Sequence, residues 1–584
     1  MEELRLMNET SLINLASDVR SQILDVVSKN GGHLSSNLGI VELTIALHKV
    51  FNTPFDQLIF DVSHQTYAHK IITGRKEEFK TLRKYQGISG FSKPDESEFD
   101  LFSSGHSSTA VSLAIGCAIA NKEKGLKKEV IAVVGDASAT NGLTLEALNY
   151  LGAHKEIKVI IIINDNDMSV SKNVGALAKT FNKIRVKRKK AFIYKITPKF
   201  MHGLLDKMKS GLKGTIYKKS LFDAFNLKYF SGIDGHNFKE LEKYLTFAKQ
   251  YPESVVLHVK TTKGKGYKFA EEDKLGIWHH VGPFNIETGV IHSDNNIQVG
   301  TCLSNVIAKR IDKSNDLKII TAAMTLGCGL EQFQTKYPNS IIDVGIAEEN
   351  AVVIASALAS NNVTPIVFIY STFLQRCYDQ ILHDVTRTNK HVIFCIDRAG
   401  IVASDGDTHQ GIFDISYLMP LPNIKILSPS TLEMAEDCLS FALNEEGPIA
   451  IRYPKYLPNG NNGFIPYKWI EEIEIKDINV LTYGSDVQLF KKLLSNYNVG
   501  IINAVFIKPM DLEMLDRLKN TKKLIIYEQV NKTASLGEQI KLVLDKYIEV
   551  VHIALDNTYL TEGSELELKD VGNIQFDKIL KEIE

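Results

Sequence analysis

The chain has few cysteines and no arrangement of them that points to chemistry. Six occur in 584 residues, at Cys117, Cys302, Cys328, Cys377, Cys395 and Cys438. None forms a CxxC pair, so they read as reduced, mostly buried thiols in a cytoplasmic protein and argue against a disulfide framework. Charge of either sign is not in excess: 68 basic against 69 acidic residues leave a net charge of −1. No global field therefore draws the protein to nucleic acid or to an anionic membrane. No aliphatic run approaches the roughly 20 residues that span a bilayer. The opening MEELRLMNETS has neither an apolar stretch nor the Arg-rich character of a transit peptide. No short-period repeat is visible. The one basic run, KIRVKRKK from Lys183 to Lys190, lacks interleaved aromatics and reads as a solvated surface segment rather than a nucleic-acid contact.

The chain does have a regular alternation of short β-branched runs and longer amphipathic stretches. Strand-like runs include Val130–Val134, Val159–Ile163, Val255–Val259, Ile366–Ile369, Val392–Ile396, Ile449–Arg452 and Leu524–Tyr527. Helical stretches such as Ser107–Lys122, Thr144–Leu151 and Ala347–Ala359 lie between such runs. The pattern predicts α/β units with parallel sheets. Polar, turn-rich breaks near Thr288–Asn296 and Leu457–Gly463 divide the chain into three expected domains: 1–290, 291–456 and 457–584. Each is expected to be a mostly parallel sheet flanked by helices.

Two of the apolar runs end alike. Val130–Val134 closes in Gly135-Asp136, and Val159–Ile163 closes in Asn164-Asp165-Asn166. Oxygen-bearing side chains at the carboxyl ends of two parallel strands suit a hard cation such as Mg²⁺. The crevice beyond those ends is where open α/β sheets bind ligands. Because Mg²⁺ keeps few protein ligands and favours phosphates, the pair suggests a metal-bridged diphosphate.

The stretches around that pair narrow the reading. They are GGHLSSNLGIVELTIALH (Gly31–His48), FDVSHQTYAHKIITGR (Phe60–Arg75), SSGHSSTAVSLAIG (Ser103–Gly116), NDNDMSVSKNVGAL (Asn164–Leu177), TKGKGY (Thr262–Tyr267), IYSTFLQRCYDQILHDV (Ile369–Val385), IDRAGIVASDGDTHQGIFDISYL (Ile396–Leu418) and GPIAIRYPK (Gly447–Lys455). In this order they resemble the 1-deoxy-D-xylulose-5-phosphate synthase family, whose members are thiamine-diphosphate-dependent and transketolase-like. The resemblance runs from about residue 11 to 455 and continues more weakly beyond.

The resemblance implies a residue-by-residue assignment. Asp136, Asn166 and the Met168 carbonyl would hold Mg²⁺. Gly105, His106, Ser107, Ala137, Ser138, His64 and Tyr267 fall at positions that cradle thiamine diphosphate. Glu348 matches the glutamate that contacts N1′ of the aminopyrimidine. His33, His64, His279 and His409 match active-site histidines, a type suited to proton transfer near neutrality. Tyr370, Arg376 and Asp405 match other catalytic positions, and Lys263, Arg398 and Arg452 match substrate positions. Arg398 and Arg452 would supply the forked donors for a substrate phosphate. The implied reaction joins pyruvate, with loss of CO₂, to D-glyceraldehyde 3-phosphate. Its product, 1-deoxy-D-xylulose 5-phosphate, feeds isoprenoid, thiamine and pyridoxal precursors. The implied assembly is a homodimer with the cofactor between the first two domains of one chain.

Several motif positions depart from the family pattern. Ser63 and Ala137 replace glycines, and Glu349 and Asn350 replace a Gln-His pair. If Ala137 needs a positive φ, its Cβ costs about 1–2 kcal/mol. Glu349 places a second carboxylate beside Glu348. Three alternatives follow: a divergent paralogue using another aldehyde acceptor, an inactive relative serving as a binding protein, and a transketolase-type ketol transferase. The STFLQR and DRAG blocks argue against the last, and the retained Asp136, Asn166, Glu348, Arg398 and Arg452 argue against the second.

Overall fold

The computed structural model describes residues 1–166, 176, 221–292, 296–312, 316–403, 405–460 and 463–584. Met168 and the basic run Lys183 to Lys190 lie outside the described residues. The chain forms two compact units: Met1–Leu82 with Gly90–His292, and Arg83–Ser89 with Ser293–Glu584. Among the described residues no helix is long and apolar enough to cross a membrane.

The first unit is built on β1 (Gln57–Phe60), β2 (Val130–Gly135), β3 (Ile160–Asp165), β4 (Lys228–Asp234) and β5 (Val255–Lys260). They form one sheet in the order β1-β2-β3-β5-β4. Every pairing is parallel. The residues of β3 are buried throughout, which explains why its sequence is a continuous β-branched run rather than an alternation. Helices Ala110–Glu123 and Gly142–Ala153 contribute Ala114, Ile115, Leu148 and Leu151 to the core against Val134, Ile161 and Ile163. Parallel strands need a crossover between each pair, so all five carboxyl ends emerge on one edge.

The second unit carries two sheets. The first contains β6 (Leu317–Thr321), β7 (Ile341–Asp343), β8 (Thr364–Tyr370), β9 (Ile393–Asp397), β10 (Lys425–Leu427) and β11 (Ile449–Arg452). The second contains β12 (Ile470–Ile473), β13 (Ile478–Thr482), β14 (Gly500–Asn503), β16 (Lys523–Asn531) and β17 (Glu549–Leu555), in the order β12-β14-β13-β16-β17. Strand β15 (Phe506–Lys508) leaves its sequence neighbours and pairs antiparallel with β10, so the first sheet reads β15-β10-β11-β9-β8-β6-β7. One continuous apolar core joins the two sheets, running from Ile366, Phe394 and Ile451 to Leu481, Ile502 and Leu524. The architecture is α/β with mostly parallel sheets flanked by helices, as the alternation predicts.

Close packing of helix Gly142–Ala153 depends on one residue. A Cβ added to Gly152 would lie 1.9 Å from the Phe225 carbonyl oxygen, whereas one added to Gly116 meets nothing within 4 Å. In an open helix interior, Gly→Ala stabilises by about 0.5–1 kcal/mol. At Gly152 the clash is with backbone, and overpacking of about 1–3 kcal/mol outweighs that gain. Gly152→Ala is therefore expected to lower the urea midpoint while Gly116→Ala leaves it unchanged or raises it. Equal shifts in the two variants would contradict the packing argument.

Candidate active site

The loops at the carboxyl edge of the first sheet are tied down by side chains that accept backbone N–H groups. Asp61, just past β1, takes the N–H of Ser108 at 2.9 Å and that of Ala110 at 3.1 Å. It thereby fixes the loop holding Gly105, His106 and Ser107 at the start of helix Ala110–Glu123. Burial pushes the Asp61 carboxyl up, against the pull of those N–H groups. Asn37 ties two further loops together: its Nδ2 donates to the carbonyls of His33 and His64, each at 2.7 Å, and its Oδ1 accepts the Tyr67 N–H at 2.8 Å.

Those ties gather four imidazoles. His33 lies 5.1 Å from His64, 5.5 Å from His279 and 4.9 Å from His280, centroid to centroid. His64 and His279 are 5.2 Å apart. The Ser36 hydroxyl sits between them, 3.2 Å from His64 Nε2 and 3.3 Å from His279 Nδ1. Burial, then the charges of Lys263 and its neighbouring histidines, hold His279 well below the usual imidazole range, so it is neutral at pH 7. Burial also brings Lys263 down to about 8, with the Asp136 carboxylate pulling it back up. Tyr267 is buried among Phe269, Trp278 and Phe284, and its hydroxyl donates to the Ile286 carbonyl at 3.1 Å.

The two strand ends singled out in the sequence are neighbours. Strands β2 and β3 pair with Gly135 opposite Asn164, which sets Asp136 and Asn166 on the same edge. Asp136 is buried, and one of its oxygens accepts the Ala137 N–H at 2.9 Å. Among the described residues no group of three or more His, Cys, Asp or Glu could hold a metal. The fit to Mg²⁺ rests instead on hard oxygens, a carboxylate and an amide, which is the donor chemistry that ion selects. Of the three polar residues that end β3, Asp165 does not belong to this set. Its carboxylate is engaged by His258 at 2.7 Å.

The backbone decides which replaced glycine matters. Ala137 has φ −67°, an ordinary right-handed value, so its Cβ costs nothing there. Ser63 has φ +65°, a conformation that costs a residue with a Cβ about 1–2 kcal/mol. Its hydroxyl accepts the Ser92 N–H at 2.8 Å, which returns about 1 kcal/mol.

In the second unit, Glu348 opens helix Glu348–Ala359. It is 3% exposed, and its Oε2 accepts no hydrogen bond among the described residues. Arg376 Nε lies 3.6 Å from that oxygen. Burial dominates and pushes the carboxyl up to about 7; Arg376 lowers it and Glu349 raises it slightly. Tyr370, at the end of β8, stacks on Phe373, which also meets the His409 ring at 5.7 Å. The Arg398 guanidinium lies 4.6 Å from the Tyr370 ring centre, donates to Asp397 Oδ1 at 2.7 Å and to the Gly327 carbonyl at 3.0 Å. A Cβ on Gly411 would sit 2.0 Å from the Arg398 carbonyl oxygen, so that close approach needs glycine. Asp405 is bound by Arg83, which belongs to this unit although it lies far earlier in the chain. Arg452 is bound by Asp414, at 2.9 and 3.2 Å. Asp61, Ser36, Asn37, Arg83 and Asp414 were not picked out from the sequence. Each acts through a fold contact that has no local signature.

Two outcomes follow. Ser63→Ala keeps the strain and loses the hydrogen bond, so it is expected to unfold about 1 kcal/mol more easily, with Ser63→Gly close to wild type in the same urea titration. Glu348 carries the opposite kind of cost. Its folded value is about 7 against the usual 4.5, so at 1.36 kcal/mol per unit its ionisation removes about 3 kcal/mol of stability as pH rises from the unfolded value through 7. Glu348→Gln should therefore melt higher than wild type at pH 8, with the gap closing toward pH 4.5. A gap independent of pH would refute the assignment.

Comparison with known proteins identifies the family. The family described as 1-deoxy-D-xylulose-5-phosphate synthase matches residues 1–261. The transketolase pyrimidine binding domain matches 295–459, and the transketolase C-terminal domain matches 468–579. The chain is similar to a 1-deoxy-D-xylulose-5-phosphate synthase of Clostridium tetani, 42% identical over 607 residues, with 100% of this chain and 97% of the relative covered. A protein of the same name from Macrococcus caseolyticus is 41% identical, covering 96% of this chain and 94% of the relative. Among solved structures, transketolase from Campylobacter jejuni is 17% identical over 99% of this chain and 100% of its own, with a TM-score of 0.43. With 42% and 41% identity to these two synthases sustained over 100% and 96% of its length, the chain belongs to the 1-deoxy-D-xylulose-5-phosphate synthase family.

Proposed function

We propose that this protein condenses pyruvate, with loss of CO₂, with D-glyceraldehyde 3-phosphate to give 1-deoxy-D-xylulose 5-phosphate. The observation that carries the reading is Glu348, a buried carboxyl brought to about 7 at the head of a helix. A group with that affinity both holds and gives up a proton at working pH. When bound with Mg²⁺, thiamine diphosphate supplies the electron sink that lets a two-carbon unit leave pyruvate and join an aldehyde.

The chain's residues divide the remaining work. Asp136 and Asn166 would hold the metal. The backbone of Ala137 and Ser138 and the loop Gly105 to Ser107 would face the diphosphate, and Tyr267 would help shape that pocket. Glu348 would hold a proton against N1′ of the aminopyrimidine, with Arg376 limiting how far its carboxyl rises. His33, His64 and His279 stand close enough to serve as one proton-handling cluster, in which burial keeps His279 neutral. Lys263, at about 8, retains a cation near Asp136. Tyr370, His409, Asp405, Arg398 and Arg452 would orient the substrates. We further place the protein in the cytoplasm as a homodimer. The compartment is supported by six free cysteines.

One observation favours a second reading, a different aldehyde acceptor. The guanidinium groups of Arg398 and Arg452 are already paired with Asp397 and Asp414, which weakens their pull on a substrate phosphate. Both readings are tested by incubating the protein with thiamine diphosphate, Mg²⁺, pyruvate and D-glyceraldehyde 3-phosphate. CO₂ release and the sugar phosphate are followed by mass. Both are expected in the wild type, and both are expected to fall at least ~100-fold in Glu348→Ala. CO₂ without the five-carbon product would point to the other acceptor. Bound cofactor with no turnover would point to a binding protein.

A further inference from the structure

Ile161, Ile163 and Val256 form an apolar patch on one face of the first sheet, and a diagonal of three polar side chains crosses that face. Tyr229 on β4 has its hydroxyl 2.6 Å from His258 Nδ1 on β5. His258 Nε2 is 2.7 Å from Asp165 Oδ2 at the tip of β3. The register places Tyr229 opposite Val256 and His258 opposite Ile163, so the three share a face and climb toward the carboxyl edge. The side chains of His258 and Asp165 are 1% and 2% exposed. Burying such a row is costly unless every member is hydrogen-bonded, and apolar side chains of similar volume would pack this face without that demand. The row has a direction. The Asp165 carboxylate can only accept, so a neutral His258 carries its proton on Nε2 and its Nδ1 accepts from the Tyr229 hydroxyl.

The same strand tip is tied twice more. Thr261 Oγ1 donates to Asn164 Oδ1 at 2.7 Å, and the Thr261 N–H donates to the Asp165 carbonyl at 3.0 Å. On the other side, the Asp136 N–H meets the Asn164 carbonyl at 3.3 Å. The tip that precedes Asn166 is thus fixed by side chain and backbone to both neighbouring strands. We propose that the Asp165–His258–Tyr229 row is a positioning latch: it sets the Asn166 oxygen against Asp136 and so tunes affinity for the divalent cation bound with a diphosphate. The inference rests on the proposed function, in which those two residues hold Mg²⁺. His258 and Tyr229 act through the strand and touch neither ligand nor substrate.

The test is a calorimetric titration of Mg²⁺ into protein held with thiamine diphosphate and no substrate, alongside kcat measured at saturating Mg²⁺. His258→Leu cuts the row. It is expected to raise the Mg²⁺ concentration for half-saturation about 10-fold or more, the usual size of an outer-shell effect, while kcat at saturating Mg²⁺ falls far less. His258→Gln, which can still donate to Asp165, is expected to recover most of the affinity. An unchanged half-saturation in His258→Leu overturns the latch, and so does an equal loss in the Leu and Gln variants. If His258→Leu does not fold, Tyr229→Phe decides: a several-fold rise in half-saturation supports the latch, and no change overturns it. Wild-type protein that takes up no Mg²⁺ under these conditions overturns the proposed function as well as the latch.

Discussion

A carboxylate at the end of a buried parallel strand must find N–H donors close by, and in this protein that demand shapes the loops beyond the sheets. Asp61 collects the amides of Ser108 and Ala110. Asp343, at the end of β7, collects those of Ala323 and Gly345 at 3.0 and 2.9 Å. Asp397, at the end of β9, takes the Arg398 N–H at 2.7 Å. Ala323 and Arg398 both sit at φ +59°, a backbone conformation that non-glycine residues adopt only under constraint. The charge-assisted hydrogen bonds to Asp343 and Asp397 supply that constraint. The loops are bent by their anchors, and the bends present the candidate residues.

Glu348 shows what the same chemistry does when the donors are withheld. It has the advantage of a helix N-terminus, worth about 0.3–1 kcal/mol to an anion, and an arginine at 3.6 Å. Neither offsets burial, because no hydrogen bond reaches Oε2 among the described residues. Asp136 and Asp61 are also buried, yet backbone N–H groups share their charge. Buried carboxyls among the described residues thus differ in how far N–H donors offset burial, and Glu348, brought to about 7, carries a cost of about 3 kcal/mol at high pH. Strain and unmet polarity concentrated where chemistry occurs is the expected signature of a working site.

Much of this was legible in the sequence where burial is two-sided. Strands β2, β3, β5, β9 and β11 are central, so their β-branched runs could be read directly. Most strands that escaped notice were short or at an edge, although β13 is central. Gln57–Phe60 has four residues, Ile341–Asp343 and Phe506–Lys508 have three each, and Ile470–Ile473 is an antiparallel edge with a charged middle. The site was legible where a motif carries it and hidden where it depends on fold contacts. Asp165 and Asn166 are adjacent in sequence, yet only the sheet register shows that Asp165 turns toward His258. Ala137 looked the more consequential glycine replacement, but the strained backbone is at Ser63, and φ at either position is a property of the folded loop. Arg83 reaches Asp405 across more than 300 residues of sequence, a separation no local pattern reports.

The sharing of one core between the two sheets of the second unit bears on how Arg452, a candidate substrate residue, is held. Asp414 grips Arg452 through Nε and Nη2, and Tyr483 from the C-terminal sheet lies over the guanidinium at 5.7 Å. Tyr483 in turn donates to Glu528 at 2.8 Å, and Glu528 accepts the Gly537 N–H at 2.7 Å and meets His552 Nε2 at 2.8 Å. A buried arginine without its carboxylate would leave an uncompensated charge, a loss of about 3–5 kcal/mol. Asp414 is thus required for Arg452 to exist in the interior at all, and the same pairing subtracts from the field it offers a phosphate. The C-terminal sheet, which contributes none of the candidate catalytic residues, fixes the aromatic wall of that arginine. A change in that sheet's packing would therefore reach the Arg452 guanidinium through Tyr483.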